Sequence, residues 1–234
     1  EISSSQPVGV PVPVVDVAKC TGCGRCAEAC RYNALACING TVLLFKELCH
    51  GCGGCTLACP TRAISEHPHE IGVVEHGTSG RIDFIQGRLR IGATTAVPLI
   101  RAARMATPSS QMTILDAPPG TSCPVVATVR DCSYVILVTE PTPFGLHDLK
   151  LAVETIRLMS LPFGVIINRA DSGDSRVRDY CHGESIPILI EIPDNRCIAE
   201  AYSRGELLID ALPEVRDLFS TLNQRLREVT ESAS

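Results

Sequence analysis

Tryptophan is missing from the 234 residues, and with four Tyr and five Phe the aromatics reach only 4%. At 45% hydrophobic content the core must be built from aliphatic side chains, which suits an α/β architecture. Basic charge is also short: 21 Lys and Arg face 26 Asp and Glu, a formal net charge of -5. Phosphate backbones select basic surfaces, so nucleic acid is not expected as the main partner. No apolar run approaches the roughly 18 residues needed to cross a bilayer, and no transmembrane segment is expected. The opening Glu1-Ile2-Ser3-Ser4-Ser5 has neither a basic n-region nor an apolar h-region, so no secretory signal is read there. It also lacks an initiator Met, and the expectation is that Glu1 follows a segment of a longer protein.

Cysteine, by contrast, is abundant: thirteen in all, most of them in tight C-x-x-C spacing. An odd number at such short spacing makes a poor disulfide framework. It suits metal thiolates in a reducing compartment, and the cytoplasm is the expected location. Cys20, Cys23, Cys26 and Cys30 read C-x2-C-x2-C-x3-C, and Cys49, Cys52, Cys55 and Cys59 repeat it 29 residues later, with Pro60 following. The flanks repeat as well: Thr21-Gly22-Cys23-Gly24 answers His50-Gly51-Cys52-Gly53, and Asn33-Ala34-Leu35 answers Arg62-Ala63-Ile64. A half-module has been duplicated.

Three cysteines at i, i+3 and i+6 on an inward-wrapping loop reach three corners of one Fe4S4 cube. Gly22, Gly24, Gly51, Gly53 and Gly54 give unhindered backbone whose amides can donate to cluster sulfurs. The fourth cysteine of each run lies too far along the following helix to return to its own cube. In two-cluster ferredoxins it ligates the other one. One 4Fe-4S cluster is therefore assigned to Cys20, Cys23, Cys26 and Cys59, and a second to Cys49, Cys52, Cys55 and Cys30. A pair of zinc sites is the competing reading. Zinc prefers two separated C-x-x-C pairs, and the extra cysteines at i+6 and i+10 do not fit a zinc ribbon. Val12-Pro13-Val14-Val15 and Thr41-Val42-Leu43-Leu44-Phe45 look like the short strands that flank clusters in bacterial ferredoxins. The module is placed at residues 11–68.

Residues 69–234 read differently. Ile71–Val74 and Ile82–Ile85 suggest a strand pair around the Gly77–Gly80 turn, and Ala96–Met105 has helical spacing. Four apolar runs follow: Met112–Leu115, Tyr134–Val138, Gly164–Ile167 and Ile188–Ile190. Between them lie amphipathic stretches, notably His147–Met159, and Pro213–Val229 reads as a closing helix. Apolar strands alternating with helices predict a mostly parallel sheet covered on both faces. Ligands of such sheets bind beyond the carboxyl ends of the strands. Those ends read Asp116-Ala117-Pro118-Pro119-Gly120, Asn168-Arg169-Ala170-Asp171 and Ile192-Pro193-Asp194. An acid at a strand tip can hold Mg2+ or its water shell, although singly each of these residues is more often a turn former or helix cap.

Together with Val138-Thr139-Glu140-Pro141-Thr142 and Gly145-Leu146-His147-Asp148-Leu149, these stretches resemble the MinD/Mrp-type P-loop ATPases of the ParA group. The nearer likeness is to the branch with an inserted two-cluster ferredoxin domain. The resemblance implies ATP and Mg2+ as ligands, with Asp116 as the catalytic Mg2+ residue and Gly120 in a switch at the γ-phosphate. It also implies that Asn168, with Arg169, Pro193 and Asp194 nearby, reads adenine. One departure is large: nothing matches G-x-x-x-x-G-K-[ST], so the chain itself offers no phosphate-cradling loop or lysine. ATP hydrolysis is thus expected of a longer protein and not of these residues alone.

Three functions compete: nucleotide-gated redox or cluster chemistry, a ferredoxin-type electron carrier with a docking domain, and an iron–sulfur cluster scaffold or carrier. A redox partner protein is implied, and the family resemblance makes a homodimer plausible. Among the other cysteines, Cys132 and Cys181 read as small buried hydrophobes, while Cys123 sits beside the Pro-Pro-Gly turn. His50 reads as a surface residue. Arg81, Arg88, Arg90, Arg101 and Arg104 form a basic stretch opposed only by Asp83.

Overall fold

The computed structural model describes residues 1–109 and 112–231. The chain divides into two compact units, Glu1–Ala117 and Pro118–Ser234. The units part well beyond residue 68 because the strand leaving the cysteine module continues unbroken from Ile64 to Ser79.

In chain order the first unit contains β1 (Ile2–Val15), α1 (Arg25–Glu28), β2 (Leu35–Ile38), β3 (Thr41–Leu44), α2 (Gly54–Ala58), β4 (Ile64–Ser79), β5 (Ile82–Leu89) and α3 (Val97–Ala106). β1, β4 and β5 form an antiparallel sheet in that order. β1 carries Pro7, Pro11 and Pro13, which supply no backbone donor. It tolerates them because it is bonded to a neighbour on one side only. β2 and β3 form a separate hairpin whose Asn39-Gly40 turn has φ of 50° and 77°, the consecutive left-handed pair of a type I′ turn. α3 lies on the sheet, and Leu99, 3% exposed, presses over two glycines. A Cβ on Gly87 would stand 2.9 Å from Leu99 Cγ, so glycine there is a packing requirement.

The second unit contains α4 (Cys123–Val129), β6 (Val135–Thr139), α5 (Pro143–Leu158), β7 (Phe163–Ile167), α6 (Arg176–Gly183), β8 (Ile188–Glu191), α7 (Arg196–Ser203), α8 (Leu208–Ala211) and α9 (Pro213–Glu231). β6, β7 and β8 are parallel and adjacent in that order. Along β7, Val165 and Ile167 pack against Leu149 and Val153 of α5 and Val177 and Cys181 of α6. Ile166 points the other way and joins Leu222 of α9. The alternation of a strand covered on both faces is thus realised with helices on either side. Thr142 caps α5 by accepting from the Gly145 amide at 3.0 Å, and Asn195 caps α7 by accepting from the Cys197 amide at 2.8 Å.

Among the described residues the sheets are mixed: a three-stranded parallel sheet, a three-stranded antiparallel sheet and the hairpin. One expectation requires correction. Met112–Leu115 forms no strand. Met112 is 56% and Ile114 86% exposed, and the segment pairs with none of the described strands. A short apolar stretch becomes a strand only when its side chains find a face to bury. Asp116 therefore does not sit at a strand tip.

Candidate metal centre

Each cysteine run opens on a loop and closes in a short helix. Gly24 and Gly53 precede α1 and α2 in the left-handed conformation, with φ of 75° and 74°. Gly22 and Gly51, two residues earlier, have φ of 67° and 64°. Positive φ at alternating positions turns the loop inward, a conformation that costs other residues far more than glycine. Close packing fixes the loops from outside. A Cβ on Gly22 would stand 2.5 Å from the Gly40 carbonyl oxygen of the hairpin turn, and one on Gly51 would stand 3.0 Å from Pro11 of β1.

The loops and helices line two small hollows. Cys20, Cys23, Cys26 and Cys59 line the first. Cys49, Cys52, Cys55 and Cys30 line the second. The last cysteine of each run faces the other run's cavity. Thr21 and Thr61 of the first cavity are matched, 29 residues away, by His50 and Tyr32 of the second. Between the cavities lies a shared apolar cluster of Cys26, Leu35, Cys55 and Ile64.

Backbone amides serve the two exchanged cysteines in the same way. The Ala34 amide donates to Cys30 Sγ at 3.3 Å, and the Ala63 amide donates to Cys59 Sγ at 3.2 Å. That donation holds the Cys59 thiol below the ordinary cysteine value. Burial pushes the Cys26 and Cys55 thiols up. Four thiols spread around a glycine-lined hollow, with amides aimed at sulfur, are the donor set a 4Fe-4S cubane takes. Among the described residues, no three of His, Cys, Asp or Glu close on one point as they would around a single ion.

Beyond the cysteines, the structure brings Tyr32, His50 and Glu66 to the second cavity. Tyr32 and His50 stack with ring centroids 3.8 Å apart and planes 13° from parallel. His50 is therefore a half-buried stacking partner and not a plain surface residue. Glu66 lines the same cavity. The 29-residue offset pairs Tyr32 and His50 with Thr61 and Thr21 of the first cavity, while the counterpart of Glu66, Cys37, lies outside its lining.

The residues with expected nucleotide roles are only partly assembled. Asn168 and Arg169 leave β7, and Pro193 and Asp194 follow β8. The Asn168 amide donates to the Thr139 carbonyl at 2.7 Å, joining the ends of β6 and β7. Arg169, at φ 51°, bonds Asp194 at 3.2 Å and lies 3.8 Å from Glu140; the Asp194 contact holds its pKa up. The Asp194 amide in turn donates to Asp171 Oδ1 at 2.6 Å. Gly120, in the same unit, has φ 91° and open space around it. Asp116 is exposed and belongs to the other unit. Of the remaining cysteines, Cys181 is fully buried, Cys132 half-buried and Cys123 exposed. In the basic stretch Arg88 pairs with the buried Glu75 at 2.8 Å, so Asp83 is not its sole acidic counterweight.

A family model described as "4Fe-4S binding domain" matches the chain twice, at residues 13–36 and 42–65. The chain is an iron–sulfur protein with two such repeats. Two uncharacterized proteins of Methanocaldococcus jannaschii are similar to it. One is 26% identical across 89% of this chain and 72% of its own length. The other is 24% identical across 76% of this chain and 63% of its own length. The "Iron-sulfur cluster carrier protein" of Aquifex aeolicus is 29% identical across 51% of this chain and 37% of its own length. The chain thus spans less than two thirds of two of these relatives. Among the described residues, no helix is long and apolar enough to cross a membrane.

Proposed function

We propose that the chain carries two 4Fe-4S clusters and moves single electrons through them to a redox partner protein. The observation that carries this reading is the grouping of thiols: each cavity is lined by three cysteines of one run and the fourth of the other. Four sulfur donors saturate a cubane and leave no iron open for transfer. Cys20, Cys23, Cys26 and Cys59 would hold one cluster, and Cys49, Cys52, Cys55 and Cys30 the other; the clusters supply the one-electron chemistry. The chain's own part is to ligate, to aim the Ala34 and Ala63 amides at sulfur, and to keep water out. Incubation of the reduced, loaded protein with an oxidised one-electron acceptor and with an apo-acceptor tests this. Reduction of the first without cluster loss to the second is expected. Loss of iron to the apo-acceptor contradicts it.

A second reading, cluster delivery, draws on the name of the Aquifex aeolicus relative. Exposed Cys123 is the candidate for a labile site on that reading. Nucleotide coupling rests on Asn168, Arg169 and Asp194 gathered beyond β7 and β8, with Asp116, Gly120 and Pro193 assigned by resemblance alone. ATP and Mg2+ would then gate the module from a MinD-type domain, with the phosphate-binding loop supplied by sequence outside these residues. Cytoplasmic location and a homodimer belong to the same proposal. No ATP turnover is expected from this 234-residue chain, and measurable turnover would contradict that division of labour.

A further inference from the structure

The two cavities match closely under the 29-residue offset, and one mismatch concerns charge. Glu66 lines the second cavity. Its counterpart one repeat earlier is Cys37. Glu66 Oε1 accepts from Thr56 Oγ1 at 2.8 Å and would stand 3.2 Å from a Cβ on Gly53. The side chain is therefore held against the second cysteine loop. Cys37 occupies the same relation to the first loop: its thiol donates to the Gly22 carbonyl at 3.4 Å, and its Cβ would stand 3.7 Å from a Cβ on Gly24. One loop carries a carboxylate where the other carries a neutral thiol.

The charge at the second loop is also uncompensated. Among the described residues no Lys, Arg or His forms an ion pair with Glu66, whose bonded partner is the neutral Thr56 hydroxyl. In the first run Glu28 of α1 does not line the cavity, and Asp16, which precedes the run, is paired with Lys19 at 3.0 Å. Reduction of a cubane adds one negative charge. A carboxylate beside it opposes that addition, with a strength that solvent reduces but does not abolish.

Resting on the two-cluster reading above, we propose that Glu66 makes the second site the lower-potential of the two and thereby sets the direction of electron flow. A low-potential one-electron donor supplies the electron. Its passage oxidises the second site by one electron and reduces the first by one, with no bond made or broken and no proton moved. Glu66 acts on that electron through its charge beside the second site, without being a ligand.

The test is a potentiometric titration of the full, anaerobically loaded chain, followed by EPR, for the unmodified protein, Glu66→Gln and Cys37→Glu. Gln keeps the acceptor for Thr56 and removes only the charge. The unmodified protein should show two one-electron waves. Glu66→Gln should raise the lower wave alone, shifting its oxidised-to-reduced ratio about threefold at fixed solution potential, or ~28 mV at 59 mV per tenfold. Cys37→Glu should lower the higher wave; if that variant does not load, Glu66→Gln decides. Two waves that both stay in place, or move together, overturn the proposal while leaving two clusters intact. Protein with far fewer than about eight irons and no cubane signal overturns the two-cluster reading instead.

Discussion

Cys59, the last cysteine of the second run, lines the same cavity as Cys20, the first of the first run. The two are joined through the polypeptide only by way of the other cavity's loop. Ligation at one site therefore constrains the backbone of both. In a segment this small, little apolar surface is available, and the crossed ligands act as its staples.

Replacement of Cys59 by Ser should empty the first cavity and spare the second, whose four thiols are untouched. Iron should fall from about eight to about four per chain. Cys30→Ser should give the same count from the opposite site. Iron and labile-sulfide analysis after anaerobic purification reads both.

Gly22→Ala should cost roughly 2 kcal/mol or more, because φ of 67° is joined to a Cβ 2.5 Å from the Gly40 carbonyl. Gly40→Asn is the contrast: φ is 77° but nothing lies within 4 Å, and Asn tolerates the left-handed region. Cluster retention during denaturant titration should fall early for the first variant and stay near the parent's for the second.

Leu99→Ala should destabilise the first unit by about 2 to 5 kcal/mol, since it vacates a site 3% exposed between the sheet and α3. Gly87→Ala should be comparably harmful from the other side, by thrusting a methyl at Leu99. Urea unfolding monitored by hydrogen exchange of β4 and β5 amides separates this loss from events in the second unit.

Arg178 links α6 to β8, donating to both Glu191 oxygens at 3.0 Å and to the Ala170 carbonyl at 2.7 Å. The guanidinium holds the Glu191 carboxyl below its ordinary value. A lowered folded pKa gives stability that is present above the unfolded value and is lost as pH falls through the folded one. Arg178→Met should remove that acid-side loss from the second unit and cost about 1 kcal/mol near neutrality, modest because the pair is partly solvated. The urea midpoint of β7 and β8 amide signals, followed from pH 7 downward, measures it.

Much of the candidate site was legible because a duplicated metal motif leaves its spacing in the sequence. The eight cysteines and their glycines follow from offset and run length, and the exchange of the fourth ligand is what two-cluster ferredoxins lead one to expect. Tyr32 and Glu66 were not singled out because residue type alone does not place them at a cavity. His50, although it lies between cysteines of the second run, reads as a surface residue until its stacking on Tyr32 is seen. The parallel strands β6, β7 and β8 were legible as continuous apolar runs. β1 was longer than its apolar part suggested, since Ile2–Gly9 is polar and proline-broken yet gains its ladder from β4. Met112–Leu115 is mostly apolar and yet forms no strand, with Met112 and Ile114 largely exposed. The ion pair of Arg88 with Glu75 was hidden because register, and not sequence distance, brings the partners together.

The central claim is that two crossed sets of four thiolates hold two cubanes. Metal and sulfide analysis of anaerobically purified protein, with EPR after dithionite reduction, tests it most directly. About eight irons and eight sulfides per chain with a cubane signal are expected. Stoichiometric zinc without labile sulfide would contradict the account.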